Sequence, residues 1–340
     1  MVRSGIAFEF SILPLKSLPL DGFLLSLIVA VGLAVIWPTP GVSGGLLHVD
    51  WVSSYGIAVV FLLYGLTLSP EKMWAGMVHW RLHLAVQAGT FVLFPAVILA
   101  LGPLVSPHLP AATWTGFFYL AVLPSTVSSS VAMTSLARGN VPAAIFNASL
   151  SSIIGVFVTP LMMAWYIHSS GGSMPLGHVL QKVMLLVLLP IVIGQALHRP
   201  LLAWTARHGK RIKLVDRAVI IVIVYNSFCD SIAGGVWSTR DIGLLAGIAI
   251  GVIALFFLVY GLMQIPCAVL GFNREDRIAC LFCASKKSLA TGVPLARIIF
   301  GATPMLGQII VPLILFHFFQ LVIVSVIAAR FARDPVAAKA

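Results

Sequence analysis

The chain has 340 residues, of which 60% are hydrophobic and 9% are charged, and its mean hydropathy is +1.05. Soluble domains carry about 25% charged residues, and their exterior must remain polar, so this composition excludes an ordinary soluble protein. The net charge of +11 comes from Lys and Arg in short segments between apolar runs. This distribution indicates membrane topology and excludes a nucleic-acid-binding face.

Ten apolar stretches follow one another along the chain. A spanning helix needs about 20 apolar residues, and lipid offers no partner to a free backbone amide, so each stretch is predicted to be a transmembrane helix. The sequence therefore predicts an all-α polytopic membrane protein, a single transporter domain over residues 1–340. The predicted spans cover residues 22–37, 51–69, 82–102, 113–136, 141–167, 179–197, 214–236, 242–264, 278–300 and 307–329.

The basic residues predict the orientation of these spans. With a cytoplasmic N-terminus, sixteen of the 21 Lys and Arg residues lie in cytoplasmic segments. Only Arg240 and Arg297 then lie on the opposite side, while Lys182, Lys286 and Lys287 lie within spans. Because cytoplasmic loops are enriched in Lys and Arg, this separation predicts ten spans with both termini in the cytoplasm. The expected location is the cell inner membrane.

The two halves of the chain resemble each other. Tyr64 in span two corresponds to Tyr225 in span seven, and Pro160 in span five corresponds to Pro312 in span ten. The tripeptide Leu-Ala-Arg ends span four and also span nine. Five spans per half place the second copy upside down, as in many secondary transporters. We therefore expect two inverted five-helix repeats, over residues 22–167 and 179–329, with interleaved core and panel helices.

Span four combines a proline with a run of hydroxyl side chains. Pro124 removes a backbone hydrogen bond, and five of the next six residues are Ser or Thr. Unwound backbone and hydroxyl oxygens suit a small cation such as sodium, although the same hydroxyls can bond their own helix and allow close packing. Span five adds amide and hydroxyl groups that could bind an ion or join two helices. The candidate ion ligands are Ser128, Ser129, Ser130, Asn147 and Ser149, with Ser285 from span nine.

Span nine contains two adjacent lysines, Lys286 and Lys287, about ten residues into an apolar stretch. A charge at that depth needs a partner or water, so both are candidates for binding substrate or serving as internal cations. If the span began after them, too few residues would remain to cross the membrane. Gly292 and Pro294 predict a helix break here. The remaining candidates for this role are Asp230, predicted to pair with a lysine, Gln87 and Thr291.

Several motifs resemble those of the bile acid:sodium symporters. Residues 64–70 (Tyr-Gly-Leu-Thr-Leu-Ser-Pro) are similar to the F-G-x-x-L-x-P end of span two in that family, and residues 136–140 match its L-A-R-G-N motif. Residues 285–289 (Ser-Lys-Lys-Ser-Leu) resemble a divergent branch whose substrate is not settled. The resemblance implies a core and a panel domain, with broken spans four and nine crossing beside two sodium sites.

The family's sodium ligands carry over only in part. Ser129 and Ser130 match the hydroxyl positions before L-A-R-G-N, and Asn147 and Ser149 would substitute for two further ligands. In span nine, Ser285 and Leu289 stand where the symporters have a Glu-x-x-x-Gln unit, so the acidic sodium ligand is missing. The resemblance therefore leaves three roles open for the lysines: a tethered cation in place of sodium, an anion-binding group, or a proton carrier.

The expected function is a secondary active transporter, coupled to sodium or protons, that moves an organic anion or an amphipathic solute across the lipid bilayer. Its only expected cofactor or metal is a sodium ion. The alternatives are an intramembrane enzyme and a membrane regulatory protein that transports nothing. The sequence has no HExxH and no pair of intramembrane carboxylates, which disfavours an enzyme.

Overall fold

The computed structural model describes residues 22–68, 79–171, 176–235 and 242–333. Within these ranges the chain forms helices and no strand, which confirms the all-α prediction. The α-helices are α1 Gly22–Ile36, α2 Val49–Thr67, α3 Trp80–Ala88, α4 Phe94–Val105, α5 Ala111–Val122, α6 Val127–Leu136, α7 Val141–Ser169, α8 Leu176–Val183, α9 Leu189–His198, α10 Leu202–Ala233, α11 Ile242–Leu262, α12 Gln264–Val269, α13 Arg274–Ala284, α14 Leu289–Phe300 and α15 Leu306–Arg333. Short π-helical turns at Gly89–Leu93 and Met184–Leu188 make α3–α4 and α8–α9 continuous.

Six helices of the described chain are long and apolar enough to cross a membrane. They are Val49–Thr67, Trp80–His108, Val141–Ser169, Gly177–His198, Ile242–Val269 and Leu306–Arg333. A seventh span results when α5 and α6, which meet at 60°, are taken together. Three predicted spans lie outside this count: α1 has only 15 residues, α10 has a charged first half, and span nine is divided into α13 and α14.

Some sequence predictions concern residues outside the described ranges. These are the ends of spans two and seven at Ser69 and Val236, the motif residue Pro70, and part of the charge distribution. The basic residues concerned are Arg3, Lys16, Lys72, Arg240 and Lys339.

Both predicted helix breaks exist, and one of them is displaced. The first lies at residues 123–126 and contains Pro124, as predicted. The second lies at residues 285–288, so the lysines are in the break itself, and the predicted position at Gly292 and Pro294 is wrong. The helix α14 begins earlier because the Ser288 hydroxyl caps it, accepting a hydrogen bond from the Thr291 N–H at 3.2 Å.

Two glycines allow α2 and α9 to pack with their backbones in contact. A Cβ atom at Gly65 would touch the carbonyl oxygen of Ile191, and one at Gly194 would touch that of Leu62. Small residues bring membrane helices close together in this way, because lipid supplies no hydrophobic force between helices. His198 adds a direct link, with its Nδ1 atom 2.7 Å from the carbonyl oxygen of Leu66. The two helices therefore form one rigid unit.

We expect Gly194→Ala to destabilise the protein by about 2 kcal/mol, because the added methyl group must displace the α2 backbone. The melting temperature in detergent measures this effect. Gly247→Ala is the matched control, since a Cβ atom there has no neighbour within 4 Å. Equal melting temperatures for the two variants would contradict the close contact.

Candidate functional site

The two helix breaks cross and hydrogen-bond to each other. The Ser288 N–H donates to the Pro124 carbonyl at 2.9 Å. In the opposite direction, the Ser125 hydroxyl donates to the Cys283 carbonyl at 2.6 Å. Each break thus supplies partners for backbone groups that the other break leaves without a helical bond, as a membrane interior requires.

The structure brings the predicted hydroxyl segment to one of the lysines. Ser128, Ser129 and Ser130 form the first turn of α6. The Ser129 carbonyl accepts a hydrogen bond from Lys286 Nζ at 2.8 Å, and the Ser130 hydroxyl donates to the Phe282 carbonyl at 3.3 Å. Ser128 is exposed, whereas Ser130 is buried. The three hydroxyls therefore face different surroundings.

Lys286 is fully buried, with 0% of its surface exposed, and has few partners. Its amine lies 5.8 Å from the ring centre of Phe282. Its only hydrogen bond within the described ranges is the one to Ser129. A lysine ammonium has three N–H donors, so two of them could bind a further ligand.

Lys287 is equally buried but has a complete set of partners. Its amine donates to the carbonyls of Thr90 at 2.8 Å, Ala121 at 2.6 Å and Leu123 at 2.8 Å. The ring centre of Phe94 lies 4.2 Å away, close enough for a cation–π interaction. The partners of both lysines are backbone carbonyls, and no side-chain motif in the sequence predicts them.

Gln320 of α15 holds the backbone at Lys287 in place. Its Oε1 atom accepts from the Lys287 N–H, and its Nε2 atom donates to the Lys287 carbonyl, both at 2.9 Å. Its exposed fraction is 0%. Sequence reasoning missed this residue, although a glutamine inside an apolar span is an available signal.

The predicted ion pair between Asp230 and a lysine is wrong. Asp230 instead lies 3.8 Å from Arg297, and it accepts hydrogen bonds from the Ser43 N–H and hydroxyl, both at 2.7 Å. Arg297 is eight residues beyond Leu289, where α14 begins, so the rise of the helix carries it roughly 12 Å away from the break that holds the lysines. Arg297 is only 7% exposed and lies in the last turn of α14.

The other candidate residues lie around the crossing without contacting the lysine amines. Gln87 donates to the Asn147 carbonyl at 3.1 Å, which joins α3 to α7. The Ser285 hydroxyl bonds the carbonyl of Leu281 in its own helix at 2.6 Å. Thr291 lies in the first turn of α14, beside Ser288. Sodium would find oxygen ligands here, but no carboxylate is among them.

A cavity of about 770 Å³ reaches both breaks. Its wall includes polar groups at the break ends and apolar side chains from α2 and α6, and the residues that define it include neither lysine of span nine. At one end it borders the exposed Lys213 of α10. Its polar and apolar lining residues include Phe61, Tyr64, Thr126, Ser128, Val131, Ser149, Ser288 and Thr291.

Residues 21–333 match the SBF-like CPA transporter family. The chain is 42% identical to an uncharacterised protein of Pseudomonas aeruginosa, PA2026, over 92% of this chain and 93% of PA2026. It is 38% identical to the putative symporter YfeH of Escherichia coli, over 93% of this chain and 94% of YfeH. It is 32% identical to the mouse sodium/bile acid cotransporter 7, over 90% of this chain and 91% of the mouse protein. The resemblance to the bile acid:sodium symporters is confirmed, and the chain belongs to the SBF-like CPA transporter family of membrane proteins.

Proposed function

We propose that this protein is a secondary active transporter of the cell inner membrane, coupled to sodium or protons, that carries an organic anion or an amphipathic solute. The cavity that reaches both helix breaks is the observation that supports this proposal most directly. In secondary transporters, substrate and ion sites lie near the membrane midplane, where helices are interrupted. Here the interruption and the cavity coincide.

The cavity lining suits a solute with one apolar and one polar face. Phe61 and Val131 offer apolar contact, while Ser128 and Thr291 offer hydroxyl groups at the breaks. Lys213 places a positive charge at the exposed end. The mouse relative is named for a bile acid, which is an amphipathic anion, and that name supports the same class of solute here.

The proposed topology has ten spans in two inverted repeats, within one transporter domain over residues 1–340. The breaks occur at corresponding places in the two halves, between α5 and α6 and between α13 and α14. Each is followed by a long helix with an internal proline, Pro160 in α7 and Pro312 in α15. With both termini in the cytoplasm, the exposed end of the cavity at Lys213 faces inward.

Transport would alternate by rocking the core helices against the panel helices. Lys213 and Asp230 are 17 residues apart on α10, so they are separated by roughly 25 Å along the helix axis. The cavity borders α10 near Lys213, whereas the Asp230–Arg297 pair joins α10 to α14 near the opposite end of α10. This arrangement corresponds to a carrier that is open inward and closed outward.

The coupling cation has two candidate positions at the crossing. Sodium would use oxygen atoms of Ser128, Ser129, Ser130, Asn147, Ser149 and Ser285. A proton would reside on Lys286, whose amine has one carbonyl partner and can also bind the anionic group of a solute. Gln87 and Thr291 complete the proposed binding region, Lys287 serves as an internal cation beside it, and Asp230 belongs to the outward ion pair with Arg297. None of these residues is proposed to catalyse a reaction.

A two-stage experiment tests the function. First, thermal unfolding of the purified protein is measured with sodium, at varied pH, and with a panel of bile acids and other anionic amphipaths, because a ligand of the folded state raises the melting temperature. Second, the stabilising solute is offered to liposomes under an imposed sodium or pH gradient. A carrier accumulates it only under the gradient, whereas an enzyme or a regulatory protein does not. Solute uptake that is the same with and without the sodium gradient, and with and without the pH gradient, would refute the proposal.

We expect Lys286→Ala to reduce gradient-driven uptake at least about tenfold, which corresponds to about 1.4 kcal/mol, because it removes the amine that touches the Ser129 carbonyl. Initial uptake rates in liposomes measure this change. Lys210→Ala, which removes an exposed lysine of α10, is the control and should remain within twofold of wild type. Normal coupled uptake by Lys286→Ala would show that the amine is dispensable.

We expect Asp230→Asn and Arg297→Gln each to lower stability, and the double variant to lose less than the sum. Each single change leaves one buried charge unpaired, and the coupling energy should be about 1–3 kcal/mol. A double-mutant cycle of thermal unfolding provides this number. Additive losses would mean that the two side chains do not interact. Restored uptake in the exchanged variant, Asp230→Arg with Arg297→Asp, would assign the pair to outward closure.

A further inference from the structure

The environment of the Lys287 amine is that of a cation-binding site. Three backbone carbonyls, those of Thr90, Ala121 and Leu123, lie 2.6–2.8 Å from the nitrogen. The face of Phe94 covers it at 4.2 Å. The described residues provide no carboxylate at hydrogen-bond or ion-pair distance. Carbonyl oxygens arranged around one point also replace the hydration shell of ions in channel filters.

The Thr90 carbonyl is available because of the local backbone. In the π-helical turn Gly89–Leu93, the Phe94 N–H bonds to the Gly89 carbonyl rather than to Thr90. The next possible donor to the Thr90 carbonyl in this register is residue 95, which is a proline and has no N–H. The helix therefore presents an acceptor sideways, toward Lys287.

The Ala121 carbonyl is available for a related reason. Its helical donor would be the Ser125 N–H, but that group donates instead to the Ser151 hydroxyl at 2.9 Å. Pro124, one residue earlier, cannot donate. The last carbonyls of a helix also carry the negative end of its dipole, which attracts a cation. The local backbone thus leaves the Thr90 and Ala121 carbonyls without helical donors, and together with the Leu123 carbonyl they form the carbonyl cage around the Lys287 amine.

The number of hydrogen-bond acceptors around the Lys287 amine bears on its protonation state. A carbonyl oxygen only accepts, so three carbonyls within hydrogen-bond distance require three N–H donors. A neutral amine has two, and its lone pair would face the third oxygen. The geometry therefore matches an ammonium whose three donors are all used.

We infer that Lys287 is a built-in cation: its ammonium permanently occupies a carbonyl cage that would bind a free monovalent cation if the side chain were absent. Candidate ligands of the vacated cage are small cations that coordinate or hydrogen-bond to oxygen, namely sodium, ammonium and methylammonium. The inference concerns a site distinct from the solute cavity and does not require that the protein transports anything.

Thermal unfolding of the full-length Lys287→Ala variant tests this inference. We expect its melting temperature in choline chloride to be at least about 5 °C below wild type, because three buried carbonyls lose their donor. Replacing choline with about 100 mM methylammonium or ammonium at constant ionic strength should restore roughly half of the loss in a saturable manner, by mass action. Tetramethylammonium, which has no N–H donor and is larger, should restore nothing.

Lys286→Ala is the matched control, because it removes a neighbouring lysine of equal burial that has only one carbonyl partner. Its melting temperature should respond to methylammonium no more than that of wild type. Equal stabilisation of both alanine variants, or none in Lys287→Ala, would overturn the inference. Failure of the proposed transport function leaves this result unaffected, since unfolding involves no solute or gradient.

A second variant covers the case in which Lys287→Ala does not fold. Lys287→Met keeps the length of the side chain and its apolar packing but removes the charge. We expect it to be less stable than wild type by at least about 5 °C and insensitive to methylammonium, because its side chain fills the route into the cage. Wild-type stability of Lys287→Met would show that the cage needs no cation and would overturn the inference.

Discussion

The constraint on which this structure depends is that backbone groups exposed by a helix break inside a membrane must find partners within the protein. The two breaks meet this requirement together. Lys287 binds two carbonyls at the end of α5, and the Thr159 hydroxyl bonds a third, that of Val122, at 2.8 Å. The Ser125 hydroxyl and the Ser130 hydroxyl perform the same function at the end of α13. Neither break could persist in hydrocarbon without the other, so the crossing is a single structural unit.

The structure connects its helices in two different ways. Within α2–α9, glycines place one backbone directly against another, and Gly116 of α5 does the same against Ile309 of α15. Between α10 and α14, the connection includes the side chains of Asp230 and Arg297, whose charges lie 3.8 Å apart. Backbone contacts tolerate little displacement, whereas an ion pair can separate when each charge gains another partner or water. Rigid bodies and a separable junction are the components that alternation needs.

The sequence predicted much of the fold, because long apolar runs and a proline have direct consequences in lipid. The break at Pro124 follows from a missing N–H, and it lies where predicted. The second break does not coincide with Pro294, because the cap at Ser288 decides where α14 begins. Helix starts depend on such local competition, which the position of a proline does not resolve.

The partners of the charged side chains were harder to predict. Opposite charge alone suggested a lysine as the partner of Asp230. The side chain that lies at the same depth in the helix bundle is Arg297, 3.8 Å away. The lysines bind carbonyls, and every residue has one; the prolines at residues 95 and 124 remove possible donors, but the sequence does not show which of the freed carbonyls the lysines reach. That information comes from the π-helical turn and from the break, which are properties of the assembled backbone.

As the built-in cation inferred above, Lys287 would also make the protein sensitive to the electrical potential of its membrane. One elementary charge that crosses the full field changes the free energy by about 2.3 kcal/mol per 100 mV. In the proposed carrier, a displacement of the core helices would move this charge through part of the field even when no ion or solute is bound. An inside-negative potential would then favour whichever conformation holds the ammonium nearer the cytoplasm, so the conformational equilibrium of the empty protein would depend on voltage.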